Sequence, residues 1–322
     1  MNIVKPANLA TINRSQDDQV KPIRWFNLLD WAKQTAVVDK KYYRKKSRSL
    51  SGARLWHLAA PNLSRPIFIV GSPRSGTTFL GACIAEIPEI SYHFEPVATK
   101  AAARYVHNNE WSFDEASRFY RLVYAWLMRL HADGDLRFAE KTPRNCFLID
   151  FLYRAFPDAQ FIHILRDGRD AALSHSKKPW LQAASAGSNK RETSGYRHGP
   201  YPRFWVECDR THEFETTSDI HRCIWAWRRH VSAILDQAQN LPAQQYYELR
   251  YEDLVAQPQQ EAERLLTYLG LGSQAANQAL CQAFAQARPD SVGGWQRQLA
   301  PDQLQQIEQE AGDLLRRLGY LS

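Results

Sequence analysis

The sequence is poor in cysteine, and the spacing of its cysteines argues against the usual thiol sites. The five cysteines, Cys83, Cys146, Cys208, Cys223 and Cys281, are far apart, with no C-x-x-C pair and no metal-ligand spacing. An odd, dispersed set favours reduced thiols over a disulfide framework. We therefore expect a cytoplasmic protein without a metal site.

Long apolar runs are also missing. No stretch of about 18 apolar residues occurs, so the sequence predicts no membrane span. Residues 1–20 lack the apolar core of a signal peptide. No internal repeat is visible, and the 322 residues leave room for one large domain with additions.

Charge is distributed unevenly. The net charge is +7, yet residues 1–60 alone carry twelve Lys or Arg and four Asp. Such a segment is typical of a solvated face, and a surface for an anionic substrate or lipid is the alternative. No nucleic-acid-binding module accompanies the charge. We predict a basic, partly helical extension over residues 1–60, with a helix at 24–38, which packs on a main domain at 61–322.

The main domain is organised around residues 66–80, which follow a strand, loop and helix pattern. The loop between Gly71 and Gly76 has the glycine spacing of the G-x-x-x-x-G-K-[ST] nucleotide loop. Exposed backbone N–H groups and a helix N-terminus at such a turn favour phosphate binding. Thr77 replaces the lysine that contacts a triphosphate, which argues against an ordinary ATP or GTP site.

Strand-like and helix-like stretches alternate through the rest of the chain, which favours an α/β fold. The pattern predicts further strands at 89–96, 136–140, 160–165 and 245–249. It predicts helices at 117–131, 146–155, from about 171, and at 220–239, 261–269 and 301–318. Residues 180–216 lack periodicity, so we interpret them as a lid, a binding loop or a disordered segment.

Three separated strings, at 68–78, 161–174 and 293–297, resemble the sulfotransferases that use 3′-phosphoadenosine 5′-phosphosulfate (PAPS). The resemblance spans about residues 65–300. It implies a P-loop-like, three-layer α/β fold, in which helices flank a central parallel sheet of about five strands. It also implies sulfuryl transfer without a required metal, with the 3′,5′-bisphosphate PAP as product.

The resemblance assigns the donor-binding residues. It places Arg74, Ser75, Gly76, Thr77 and Thr78 around the 5′-phosphosulfate, Arg166 and Ser174 at the 3′-phosphate, and Gly293, Gly294 and Arg297 in a late loop over that phosphate. Arg74 would stabilise the charge that develops on the bridging oxygen. We expect Asp167 and Asp170 to cap the helix that follows them rather than to bind an anion.

The catalytic base is the least conventional part of the pattern. The cytosolic branch of the family has a histidine base after Lys-Thr, but here Pro143 follows Lys141 and Thr142. The Golgi-type branch places a glutamate after the second strand, and Glu95 has that position. We therefore predict Glu95 as general base, with burial raising its pKa towards the working range.

Two further residues are candidates for the catalytic site. His93 is the second candidate for the base, since it faces the same side of a strand as Glu95. Packing or solvent exposure is the alternative for this histidine. Lys141 would hold the sulfuryl or bridging oxygens, or it forms a simple ion pair with Glu140 or a nearby acid.

These features predict transfer of a sulfuryl group from PAPS to the hydroxyl of a small-molecule alcohol or phenol. Sulfation of a carbohydrate, a lipid or a protein tyrosine is the first alternative. A P-loop kinase and a non-catalytic nucleotide-binding scaffold are the others. The aromatic and arginine residues of 180–216 could bind an acceptor or merely pack the lid. The partners expected are the donor and a hydroxyl-bearing acceptor, without nucleic acid, and an oligomer remains open.

Overall fold

A five-stranded parallel sheet forms the centre of the fold. The computed structural model describes residues 21–46, 48–49 and 51–322. In these residues the strands are β1 (Ile67–Val70), β2 (Ile90–Phe94), β3 (Arg137–Lys141), β4 (Gln160–Leu165) and β5 (Tyr246–Arg250). They lie in the order β2-β3-β1-β4-β5, and each neighbouring pair is parallel.

The strand order brings the important loops together. Strand β1 is central, and its four residues are completely buried. It pairs with β3 on one side, where Ile67 is opposite Ala139, and with β4 on the other, where Val70 is opposite His163. Because the carboxyl ends of parallel strands meet at one edge, the loops after β1, β2, β3 and β4 lie close together.

Helices surround the sheet. In the described part of the chain they are α1 (Leu28–Tyr42), α2 (Gly52–Ala59), α3 (Thr77–Glu86), α4 (Val97–His107), α5 (Phe113–Leu130), α6 (Ile149–Ala155), α7 (Gly168–Ser176), α8 (Thr211–Thr216), α9 (Asp219–Ala238), α10 (Tyr251–Ala256), α11 (Pro258–Leu269), α12 (Gln274–Phe284), α13 (Trp295–Gln298) and α14 (Pro301–Arg317). None of these helices is both long and apolar enough to cross a bilayer.

Two large apolar cores lie between the central sheet and the helices on its two faces. Residues of α5, α6, α7, α9 and α14 pack on one face of the sheet. Residues of α3, α10, α11 and α12 pack on the other face. Parallel sheets need this double cover, since both faces carry apolar side chains. The predicted three-layer α/β fold with about five parallel strands is confirmed.

Helix α1 lies over the edge strand β2 and helix α4, and polar contacts fix it there. Trp31 is buried against Val97, Ala98 and Ala101 of α4. Asp39 is completely buried, and its Oδ1 atom lies 2.9 Å from Nδ1 of His93 on β2. Covering an edge strand with a helix is one way in which proteins protect it from pairing with another chain. The proposed division into residues 1–60 and 61–322 stays a prediction, and residues 1–20 lie outside the described part.

Several segments differ from the sequence prediction. Helices α2, α4, α10, α12 and α13 have no counterpart in it, and α4 begins directly after Pro96. Residues 180–216 contain short 3-10 turns and helix α8, and they carry a buried ion-pair cluster. Glu192 accepts hydrogen bonds from Arg144 over 2.9 Å and from Arg203 over 3.0 Å.

Candidate active site

The loop after β1 is shaped by two glycines. A Cβ atom at Gly71 would lie 2.6 Å from the Ile164 carbonyl oxygen, and one at Gly76 would lie 2.7 Å from the Tyr251 ring. Gly76 also has φ of +97°, in the left-handed region that glycine adopts most easily. The loop therefore packs closely on β4 and α10, and its chain leads directly into the N-terminus of α3.

Two arginines and one serine meet beside this loop. Arg74 Nε donates a hydrogen bond to Ser174 Oγ over 3.1 Å, and Arg166 Nη1 donates to the Arg74 carbonyl oxygen over 3.1 Å. Burial and the charge of Arg166 lower the pKa of Arg74. A buried cation and a half-buried one that repel each other create a site that an anion would stabilise. The structure thus brings Arg74 together with two residues that lie about 90 and 100 positions further along the chain.

A cleft of about 610 Å³ opens in front of these residues. Its predicted lining residues are Arg74, Gly76, Thr77, Thr78, Arg166, Ser174 and Gly294. Ser75 is completely buried under the loop. Among the described residues, neither Ser75 Oγ nor Arg166 Nε has a hydrogen-bond partner. Buried polar atoms are normally satisfied, so these two donors fit an anion in the cleft.

The late glycine loop reaches the cleft, but its arginine does not. Asp170 accepts hydrogen bonds from the backbone N–H groups of Gly293 over 2.7 Å and Trp295 over 3.0 Å. These bonds tether the loop to α7. Arg297 is exposed and is not among the residues that line the cleft, and its role at the 3′-phosphate stays a prediction. Asp170 ties down this loop, whereas Asp167 caps α7 through the Arg169 N–H, as expected.

Two cations at the cleft were missed by the sequence analysis. Lys177 and Arg288 both line it, and Lys177 donates to the Gln298 side chain over 2.6 Å. Lys177 follows Ser174 by three residues, so helical spacing alone could have placed both at one surface. Arg288 lies between α12 and the glycine loop, where no local pattern identifies it.

Glu95 lies at the tip of β2 between two lysines. Lys100 Nζ lies 2.5 Å from one carboxylate oxygen, and Lys141 Nζ contacts the other. The Glu95 backbone has φ of +40° and its N–H donates to the Lys141 carbonyl oxygen over 3.0 Å. The side chain remains 15% exposed, so a small molecule can reach it. A strained backbone at such a place is typical of functional sites.

The predicted direction of the Glu95 pKa shift is wrong. Burial by itself raises this pKa, as we expected, but the positive charges of Lys100 and Lys141 outweigh burial and lower it to about 2. Glu95 is therefore a carboxylate at neutral pH in this structure. It can accept a proton, but its basicity is held low by the two ion pairs.

Lys141 connects Glu95 to the loop. Its ammonium group donates to Thr78 Oγ1 over 3.3 Å while it contacts Glu95, and it lies 4.1 Å from the centre of the Phe94 ring. The side chain is almost fully buried, and burial lowers its pKa. The acid partner of Lys141 is thus Glu95, rather than Glu140 beside it.

His93 does not join this group. Its ring is completely buried, with Nδ1 close to Asp39 and Nε2 3.1 Å from Ser91 Oγ. Both ring nitrogens are occupied, and no substrate hydroxyl can reach them. The proposal of His93 as a second candidate for the base is corrected on this ground: its position supports packing between β2 and α1.

Comparison with known proteins decides the family. A model of the sulfotransferase family matches residues 66–275. The chain belongs to the sulfotransferase family. This confirms the resemblance that the three strings indicated. The matched region contains the loop after β1, Glu95, Lys141, Arg166 and Ser174. It excludes α1, α2 and the glycine loop at 293–297, whose roles stay predictions.

Individual relatives are distant. A putative protein-tyrosine sulfotransferase of Caenorhabditis briggsae is 25% identical over 222 residues, which cover 65% of this chain and 67% of the relative. The omega-hydroxy-beta-dihydromenaquinone-9 sulfotransferase Stf3 of Mycobacterium tuberculosis is 29% identical over 184 residues, which cover 56% of this chain and 40% of the relative. The match thus spans two thirds of the first relative and less than half of the second.

A solved structure supports the fold. Sulfotransferase STF9 of Mycobacterium avium aligns with a TM-score of 0.52 and 15% identity, over 81% of this chain and 78% of that one. At this identity the likeness concerns the architecture alone. The residue roles therefore rest on the geometry of this chain.

Proposed function

We propose that this sulfotransferase moves a sulfuryl group from PAPS to a hydroxyl group of its acceptor. The observation that supports this best is that cationic side chains lie at both ends of the loop after β1. Arg74, Arg166 and Ser174 meet at one end. At the other end Lys141, which is paired with Glu95, donates to Thr78. A donor with a 3′-phosphate and a 5′-phosphosulfate has one anionic group for each end.

The residues present fit this donor. Ser75, Thr77, Thr78 and the N-terminus of α3 would hold the 5′-phosphosulfate, since such loops bind phosphate through N–H groups and hydroxyls. Arg166 and Ser174 would hold the 3′-phosphate. When bound, the donor supplies the sulfuryl group that is transferred.

Arg74 and Lys141 contact different groups, so we expect them to have different roles. Arg74 points to Ser174, whereas Lys141 is the cation next to Thr78. We therefore assign Lys141 to the oxygens of the transferred group, where it would stabilise developing negative charge. Arg74 would assist at the 3′-phosphate, and its assignment to the bridging oxygen requires a different side-chain position.

Glu95 would remove the acceptor's proton. In the transfer, the acceptor oxygen forms a bond to sulfur, the bond from sulfur to the bridging oxygen breaks, and Glu95 takes the hydroxyl proton. An anion at Thr78 competes with Glu95 for Lys141, which weakens one of the two ion pairs. The pKa of Glu95 would then rise, so the base becomes stronger when the cleft is filled.

The nature of the acceptor is the open part of this proposal. A small-molecule alcohol or phenol stays our first prediction, and carbohydrate, lipid and protein tyrosine are the alternatives. Residues 180–216 are attached near the base, because Arg144 contacts both Glu192 and the Lys100 carbonyl oxygen. This segment is therefore the part of the chain that we expect to select the acceptor. The cytoplasmic location also stays a prediction.

A transfer assay tests the proposed activity. The full chain is incubated with PAPS labelled in the sulfuryl group and with one acceptor from each class: a phenol, an oligosaccharide, a lipid alcohol and a tyrosine peptide. We expect label in one class, and loss of that label with Glu95→Gln. Labelling that persists at the normal rate in Glu95→Gln would remove Glu95 as base. Phosphoryl transfer from ATP to the same acceptors would support the kinase alternative instead.

A further inference from the structure

One side of the molecule exposes large apolar side chains. Trp25 is 91% exposed, Phe26 81%, Trp56 68% and Leu122 67%. All large exposed apolar residues of the described chain belong to α1, α2, α5 or the turn before α1. Scattered apolar residues are normal on a surface, but such a concentration marks an interaction site.

Several of these exposed residues lie together along one groove. A groove of about 1090 Å³ lies between the start of α1 and the outer side of α5, and Trp25, Phe26, Leu122 and Trp126 line it. On α5 the apolar stripe continues at a spacing of four residues from Leu122 through Trp126 to Leu130. Helix α2 packs beside α5 and adds its exposed Leu55 and Trp56. We call the exposed apolar residues of α1, α2, α5 and the turn before α1 the apolar face.

Helix α1 is held so that this face stays outward. Asn27 Nδ2 donates to the Pro22 carbonyl oxygen over 2.7 Å, and the Arg24 N–H donates to Asn27 Oδ1 over 2.7 Å. Trp31 and Asp39 are buried on the inner side. The exposure of Trp25 and Phe26 is therefore a consequence of how the helix is fixed, since its other side is used for packing.

The charge next to the apolar face has one predominant sign. Residues 21–46 contain eight Lys or Arg and two Asp, and one of these acids, Asp39, is completely buried. Arg24 is exposed and lines the groove with Trp25 and Phe26, and Arg118 lines it together with one acid, Glu115. Lys33 is exposed on α1. Further along α1, Lys40 and Lys41 are also exposed.

We propose that the apolar face binds the surface of a membrane that contains anionic lipids. Exposed Trp, Phe and Leu side chains insert at the boundary of headgroups and acyl chains, and neighbouring Lys and Arg attract anionic headgroups. The face lies on the membrane, because no described helix can span it. A second copy paired through a two-fold axis would bring the same cations together, so a lipid surface fits better.

Vesicle sedimentation of the full chain tests the proposal without measuring activity. We expect the protein to pellet with phosphatidylcholine vesicles that contain phosphatidylserine, and much less with phosphatidylcholine alone. Trp25→Ser with Phe26→Ser removes two inserted side chains, and Lys33→Glu reverses one charge. Each variant is expected to weaken vesicle binding about tenfold. Arg317→Glu, an exposed charge reversal on α14, serves as the matched control and should bind normally.

Several results would overturn the proposal. One is that the protein pellets with neither kind of vesicle. Another is that the Trp25→Ser/Phe26→Ser variant and the Lys33→Glu variant both bind vesicles normally. A concentration-dependent dimer that the same variants dissociate would instead make the face an interface between copies. Circular dichroism and thermal unfolding establish that the variants are folded. Because none of these measurements uses PAPS, their failure would leave the proposed transfer activity intact.

Discussion

Lys141 donates a hydrogen bond to Thr78 over 3.3 Å while its ammonium group contacts Glu95. One buried lysine thus joins the phosphate loop after β1 to the proposed base after β2. Lys141 ends β3, which lies between these two strands in the sheet, so the strand order creates this connection. We therefore expect the pKa of Glu95 to change when an anion binds at the loop.

Replacing Glu95 by glutamine should separate binding from chemistry. The amide cannot accept the acceptor's proton, and loss of a general base typically costs about 10²–10⁴-fold in turnover. Labelled sulfuryl transfer measures turnover, and titration with PAP measures binding, which we expect to stay within a few fold. Glu110→Gln, an exposed glutamate, is the control. Equal turnover by both variants would contradict the assignment.

Removing the Lys100 ammonium group should alter the pH dependence of kcat/KM. Ion pairs with Lys100 and Lys141 hold the pKa of Glu95 at about 2, below its ordinary 4.5. In Lys100→Met one ion pair is lost, so this pKa rises towards its ordinary value. The acid limb of kcat/KM, which reports the free enzyme, should then move to higher pH. An acid limb at the wild-type position would show that Lys100 does not control the base.

The same ion pairs predict how stability depends on pH. The folded-state pKa of Glu95 is depressed, so its contribution is present above the unfolded value of 4.5 and is lost as the pH falls towards 2. Glu192 and Asp39 have their pKa values lowered to about 2 as well. Urea unfolding should therefore show stability falling below about pH 4.5. Constant stability from pH 5 to pH 3 would contradict these ion pairs.

The Ser174→Ala substitution should weaken PAP binding more than Ser176→Ala, a substitution on the same helix. A hydrogen bond to a charged group contributes about 1.5–3 kcal/mol, which corresponds to about 10- to 150-fold in affinity. Ser176→Ala on the same helix is the matched control, because Ser176 Oγ donates to the Leu173 carbonyl oxygen. Calorimetric titration with PAP compares the two. Equal affinities would place the 3′-phosphate elsewhere.

We expect Asp39 to contribute much of the free energy that holds α1 on the rest of the fold. Its carboxylate lies between His93 and His131 and is completely buried. Loss of this buried carboxylate would leave its hydrogen-bond partners unsatisfied, which typically costs about 1–3 kcal/mol for each group. Asp39→Ala should therefore lower the free energy of unfolding by about 2–4 kcal/mol, whereas Asp30→Ala on the exposed side of α1 should change it little. Equal, small effects would show that α1 is held by apolar packing alone.

Much of the fold could be predicted from the sequence, because β1, β2 and β4 are short runs rich in isoleucine, valine and aromatic residues. The predicted strand 160–165 agrees with β4 residue by residue. Helix α4 was missed because Pro96 was interpreted as the end of a strand. Proline is also common at the start of a helix, and here it directly precedes Val97.

Site residues that lie in sequence motifs could be predicted. Properties that depend on tertiary contacts could not. Arg74, Arg166 and Ser174 lie in two conspicuous strings, and the structure brings them together. The lowered pKa of Glu95 depends on Lys100, which lies on the missed helix α4. The assignment of Arg297 depends on a loose resemblance. The position of the loop at 293–297 is set by hydrogen bonds to Asp170, and no local sequence pattern predicts these partners.

The central claim is that the cleft binds a nucleotide with a 3′-phosphate, and thermal unfolding with different nucleotides tests it most directly. A ligand at about 100 times its Kd should stabilise the fold by about 2.7 kcal/mol. We predict that PAP raises Tm clearly, that adenosine 5′-phosphate does so much less, and that Ser174→Ala reduces the difference. Stabilisation by ADP with Mg²⁺ but not by PAP would contradict the account.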